Sequence, residues 1–123
     1  MRPKQTLLAH LFMSFGDAFR GLKTTWHEER NFRIETFIAL TVILALIAFG
    51  FTYIEIALAV FAIVLVLGAE VINTAFEDTL NKIEPNHDPM IGRIKDISAG
   101  IVVINVLGAL AIAIIIVAHH VSL

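Results

Sequence analysis

Residues 97–118 read ISAGIVVINVLGALAIAIIIVA, 22 consecutive positions without a formal charge. An α-helix needs about 20 apolar residues to cross roughly 30 Å of hydrocarbon, so this stretch by itself predicts a membrane span. Upstream, residues 36–54 hold 19 uncharged positions, and residues 56–69 hold 14 more before Glu70, after which the run resumes over 71–76. Backbone amides in lipid must be bonded internally, which leaves helices or a closed barrel. A barrel needs strands of about 10 residues with alternating polarity, and none is present. The predicted fold is therefore an all-α membrane protein with transmembrane helices over 36–54, 54–80 and 96–118.

Composition agrees. The 123 residues form one small domain by length; 58% are hydrophobic and 16% charged, with mean hydropathy +0.83. Soluble domains carry about 25% charged residues, so there is too little polar surface here to clothe a water-soluble globule. This excludes intrinsic disorder, a free cytosolic protein and a nucleic-acid-binding module; a net charge of −2 adds no attraction for polyanions. The absence of cysteine excludes disulfide scaffolds, thiolate metal sites and cysteine catalysis.

Charge placement predicts the orientation. Arg2, Lys4, Arg20, Lys23, Arg30 and Arg33 precede the first span, and Lys82, Arg93 and Lys95 lie between the second and third. The first connection, Gly50 to Glu55, and the tail after Ala118 carry no Lys or Arg. The positive-inside rule puts the N-terminus in the cytoplasm and the C-terminus outside, with His119 and His120 in an outer interfacial tail. Residues 7–31 lack the continuous apolar stretch of a secretory leader. Instead Leu8, Leu11, Phe12, Phe15, Phe19, Leu22 and Trp26 recur at steps of three or four. That is one apolar helix face, expected either in the membrane interface or against partner subunits.

Chemistry is expected where the apolar pattern breaks. Glu70, Asn73 and Glu77 are spaced i, i+3, i+7, so one helix face presents two carboxylates and an amide. At 1.5 Å per residue from Ile54, Glu70 lies about 24 Å along the axis, some 6 Å inside the edge of the hydrocarbon, and Glu77 lies about 10 Å further on, in water. An ionisable residue inside a membrane costs roughly 2.5–3.5 kcal/mol and marks a functional candidate. Asn73 alone is also explained as interhelical glue. Glu28 and Glu29 close the N-terminal stretch, where a polar turn is the plain alternative. In the second loop, Asn86-His87-Asp88-Pro89 precede Lys95-Asp96, and a lysine at a helix N-terminus suits phosphate as well as topology. The carboxylates suit a hard divalent cation such as Mg²⁺. With a semi-buried carboxylate able to accept a proton, the set fits phosphoryl transfer, although no Walker A or kinase-type glycine loop is present.

These residues carry a resemblance. Glu28-Glu29-Arg30-Asn31-Phe32-Arg33, then Glu70 to Glu77, then Lys95-Asp96-Ile97-Ser98-Ala99-Gly100 resemble the small prokaryotic diacylglycerol kinase family, which includes undecaprenol kinases. The likeness runs from about Phe15 to Val117. It implies a homotrimeric integral-membrane kinase of the bacterial cytoplasmic membrane, with active sites shared between subunits. ATP would be the phosphoryl donor and a lipid alcohol the acceptor. By this resemblance Glu70 is the general base and Glu29 with Glu77 holds Mg²⁺ on the nucleotide. Lys95 and Asp96 contact nucleotide, Asn86, His87 and Asp88 lie near its base, and Asn73 and Glu28 support the site. Position 17, an aromatic against nucleotide in some members, is Asp17 here, and Ser98-Ala99-Gly100 departs from the Ala-Ala-Gly or Gly-Ser-Ala of many relatives. The form of residues 28–31 favours undecaprenol over diacylglycerol as acceptor. Two other classes fit three spans: a proton-coupled transporter subunit with Glu70 as relay, and a non-catalytic assembly protein packing through Ala109 and Ala113.

Overall fold

The structure, a computed structural model, describes residues 6–123. Arg2 and Lys4, two of the cations used to orient the chain, lie outside the described residues. Four helices follow one another: α1 (Leu7–Glu28), α2 (Arg30–Ala48), α3 (Tyr53–Ile83) and α4 (Pro89–Val121). α2, α3 and α4 are each long and apolar enough to cross a membrane.

The helix boundaries have local causes. Thr6 caps α1 by accepting from the Ala9 N–H. A single extended residue, Glu29, ends α1 and begins α2, and its N–H bonds the Thr25 carbonyl at 2.8 Å. Arg33 reaches back to the carbonyls of Trp26 and His27, satisfying acceptors that the end of α1 leaves open. Trp26 meets Phe32 edge-on at 6.4 Å and Phe37 at 5.8 Å, which fixes the corner between the two helices.

α2 ends six residues before the expected end of its span. Gly50 takes a φ of 73°, the Gly50 N–H bonds the Ile47 carbonyl, and the Phe51 N–H bonds the Leu46 carbonyl. This is a Schellman termination, which glycine enters without steric cost. Thr52 and Glu55 then close a capping box that starts α3. The turn falls in the connection expected over residues 50–55, and the expected span runs on to Ile54 because Phe49, Phe51, Tyr53 and Ile54 are apolar whether or not they are helical. The surface helix likewise stops at Glu28 instead of 31.

α4 begins at Pro89, seven residues before the expected span. Asp88 accepts from the Met90 and Ile91 N–H groups at 2.8 and 3.0 Å, and Pro89 occupies the first turn, where its missing N–H costs nothing. Lys95 therefore sits well inside a helix, and the expectation that it stands beside free N–H groups at a helix N-terminus is corrected: those groups belong to Asp88.

α3 packs chiefly on α4 and then on α2, and α1 lies against both α2 and α3. Small residues at the contacts, Ala39, Ala59, Ala62 and Ala69, are buried and let the backbones approach. The outer surface stays apolar, with Leu107, Ile104 and Ile114 all exposed, as lipid or a neighbouring subunit requires. At 31 and 33 residues, α3 and α4 extend about 46 and 50 Å, beyond a hydrocarbon layer of roughly 30 Å. At the end of the bundle away from Glu70, buried Glu55 receives His119 Nδ1 at 3.0 Å and faces His120 Nδ1 at 3.4 Å, while Phe51 stacks on the His120 ring at 3.8 Å. The two histidines, expected in an outer interfacial tail, fasten the last turn of α4 to the start of α3.

Candidate active site

One face of α3 carries Glu70, Asn73, Glu77 and Asn81, and each has a neighbour on another helix. Glu70 is buried, with 5% of its surface exposed. Thr74, also buried, donates to the Glu70 backbone carbonyl at 2.9 Å, which keeps this turn of helix free of unsatisfied groups. Glu35 of α2 lies within electrostatic reach of the Glu70 carboxyl. Glu35 Oε2 is itself buried and has no donor among the described residues.

Asn73 is half-buried, and its Oδ1 accepts from the hydroxyl of Ser98 at 2.9 Å. Three residues before Ser98 on α4, Lys95 donates to Asn81 Oδ1 at 2.6 Å. The two bonds join one face of α4 to the α3 face that bears the carboxylates.

Glu77 and Glu29 are half-buried, and the charges of both lie within electrostatic reach of Glu70. Burial pushes the Glu29 carboxyl above the usual carboxylate range. The negative charges of Glu77, Asp78 and Glu28 push it the same way, and Arg33 only partly opposes them. Glu29 owes its place to the break between α1 and α2, which turns this corner towards α3. A patch of crowded carboxylate oxygens fits a hard divalent cation. Among the described residues no three carboxylate or imidazole side chains converge as a complete cage. Two carboxylates nevertheless suffice for Mg²⁺, which completes its octahedron with water and substrate phosphates.

The remaining candidates are more scattered. Asp96 is exposed beside Lys95, and Glu28 is exposed at the end of α1. Asn86 and His87 are exposed in the α3–α4 loop, where the Asn86 N–H bonds Glu84 Oε1 at 2.9 Å. Asp88 spends its carboxylate on capping α4. Asp17 pairs with Arg20 on the exposed side of α1.

Glu35 and Asn81 escaped the sequence reading, and Ser98 was read within the resembling block but given no role. Glu35 had a signal, as the lone acid at the mouth of the first uncharged stretch. Asn81 had a weaker one, standing one turn beyond Glu77. Ser98 had its place one turn after Lys95 and its departure from the pattern of many relatives.

Along the apolar flank of Glu35, a cavity of about 400 Å³ opens between α2, α3 and α4. Ala109 and Ala113, the small-residue pair expected to serve packing, line this cavity.

Comparison with known proteins gives concordant matches. A family model described as prokaryotic diacylglycerol kinase matches residues 16–117. A diacylglycerol kinase of Haemophilus influenzae is 36% identical over 93 residues, covering 76% of this chain and 79% of that protein. An undecaprenol kinase of Bacillus subtilis is 33% identical over 95 residues, covering 77% of each.

Proposed function

The chain belongs to the prokaryotic diacylglycerol kinase family and is a lipid kinase, and from that premise we propose that it transfers the γ-phosphoryl group of ATP to the hydroxyl of a membrane lipid alcohol, with undecaprenol as the acceptor. The work is done at the cytoplasmic face of the bacterial plasma membrane, by a homotrimer whose sites are shared between subunits. The observation that carries this reading is the order of carboxyls along one helix face. Glu70 is buried, while Glu77 stands two turns nearer the end of the bundle, its charge crowded together with that of Glu29.

Glu70 takes the proton of the lipid hydroxyl as its oxygen forms a bond to the γ-phosphorus. The bond from that phosphorus to the bridging oxygen breaks, and ADP leaves. Glu29 and Glu77 would hold Mg²⁺, which when bound neutralises charge on the phosphates. Lys95, oriented by Asn81, faces the phosphates with its ammonium; Asp96, Asn86 and His87 stand where nucleotide approaches from water. A proton-coupled transporter leaves Glu29, Glu77 and Lys95 without work.

Undecaprenol is preferred because residues 28–31 resemble the undecaprenol-type branch. Diacylglycerol is the second reading, favoured by the 36% identity to the Haemophilus influenzae diacylglycerol kinase. The test is a side-by-side assay of the purified protein in detergent, with MgATP and either alcohol. Phosphorylated undecaprenol forming faster than phosphatidic acid, and stopping with EDTA, is the expected result. Turnover of diacylglycerol alone overturns the choice of acceptor, and no product from undecaprenol, diacylglycerol or a short-chain analogue overturns the kinase mechanism.

A further inference from the structure

The hydroxyl-bearing residues inside these helices share one habit, and Ser98 breaks it. Thr24, Thr25, Thr36, Thr41, Thr74 and Thr79 each donate to the backbone carbonyl four residues earlier. That is the ordinary way for a helix to satisfy a hydroxyl in an apolar setting. Ser98, with 4% of its surface exposed, instead crosses from α4 to α3 and donates to Asn73 Oδ1 at 2.9 Å.

An asparagine amide has two unlike ends: an oxygen that accepts and an NH₂ group that donates twice. A donor fixed at the oxygen decides which way the amide is turned. Glu70 stands three residues before Asn73, on the same face of α3. Lys95 stands three residues before Ser98, so the residue that turns the amide shares its α4 face with the lysine bonded to Asn81.

We propose that Ser98 is a positioning residue for phosphoryl transfer: its buried hydroxyl fixes the carbonyl end of the Asn73 amide and thereby presents the amide N–H groups to the Glu70 side of the site. The proposal rests on the lipid kinase mechanism above. Without the hydroxyl the amide turns freely, and in half its orientations it offers the site an oxygen beside the Glu70 carboxylate. Ser98 acts through Asn73 and touches neither nucleotide nor lipid, so its loss falls on kcat and spares the KM for ATP.

The experiment compares the parent with Ser98→Ala, Asn73→Ala and the double variant in detergent, following lipid phosphorylation and thermal unfolding. Ser98→Ala is expected to lower kcat about tenfold, the worth of one well-made hydrogen bond, with KM for ATP unchanged. In the Asn73→Ala background, Ser98→Ala causes no further loss, because the group it orients is gone. Ser98→Cys, nearly isosteric and a weak donor, lies between parent and Ser98→Ala. A parental kcat in Ser98→Ala, a multiplicative further loss in the double variant, or a lowered melting temperature with no change in kcat each overturns the proposal. A parent that phosphorylates no lipid alcohol overturns the mechanism beneath it, a distinct outcome read from the parent alone.

Discussion

Lys95 Nζ donates to Asn81 Oδ1 at 2.6 Å, tying the second turn of α4 to α3 one turn beyond Glu77. The partner is a neutral amide. It holds the ammonium in place without cancelling its charge, which keeps the lysine available to a phosphate.

Removing that tether tests the arrangement. Asn81→Ala is expected to raise the KM for ATP about three- to tenfold, the range of one side-chain hydrogen bond, with a smaller effect on kcat. Initial rates over an ATP titration measure this, and an unchanged KM would show that Lys95 needs no orientation.

Glu70→Gln keeps the shape of the side chain and its hydrogen bonding but cannot take up a proton. Turnover is expected to fall about a hundredfold or more, the usual worth of a general base, while nucleotide binding measured by a fluorescent ATP analogue stays within about twofold of the parent, less than one hydrogen bond. Retained turnover would remove Glu70 from the role of base.

For Glu77→Gln the expected change is in metal dependence. Disturbing even an outer neighbour of a metal costs about 10–100-fold in affinity, so losing a carboxylate ligand should raise the half-saturating Mg²⁺ concentration at least about tenfold. A titration of Mg²⁺ at fixed ATP reads this directly, and an unmoved curve would count against Glu77 as a ligand.

Asp88 separates capping from nucleotide contact. Its carboxylate already accepts two backbone N–H bonds at the start of α4, so Asp88→Ala should cost about 1 kcal/mol of stability and leave the KM for ATP alone. Thermal unfolding and ATP titration on the same preparation distinguish the two roles; an intact melting temperature with a raised KM would return Asp88 to the nucleotide.

At the far end of the bundle, Glu55 serves both the capping box of α3 and the two histidines of α4. Glu55→Ala should lower the melting temperature more than Glu55→Gln, because glutamine still accepts from the Thr52 N–H through its one carbonyl oxygen, losing the charge and the second acceptor that meets His119. Equal losses would mean that the capping box contributes nothing there.

Much of this protein was legible before folding was considered, and the misreadings are instructive. The spans showed because hydrocarbon tolerates no charge over about 20 residues, and the face of Glu70, Asn73 and Glu77 showed because helical spacing puts them together. The first connection is expected at residues 50–55, but the expected end of the first span falls at Ile54, since apolar residues flank Gly50 on both sides. The early start of α4 was hidden by the charged residues 93, 95 and 96, which project beyond the apolar run on the same helix.

Sequence alone determined a helical membrane protein with acidic and basic side chains gathered at helix ends. The rules behind that are local: one residue's cost in lipid, and one helix's period. Which polar groups meet was decided only by the tertiary structure. Ser98 with Asn73, Asn81 with Lys95, and the nearness of Glu35 to Glu70 depend on the rotation and register of one helix against another, and those follow from how the buried alanines of α2 and α3 let whole backbones approach.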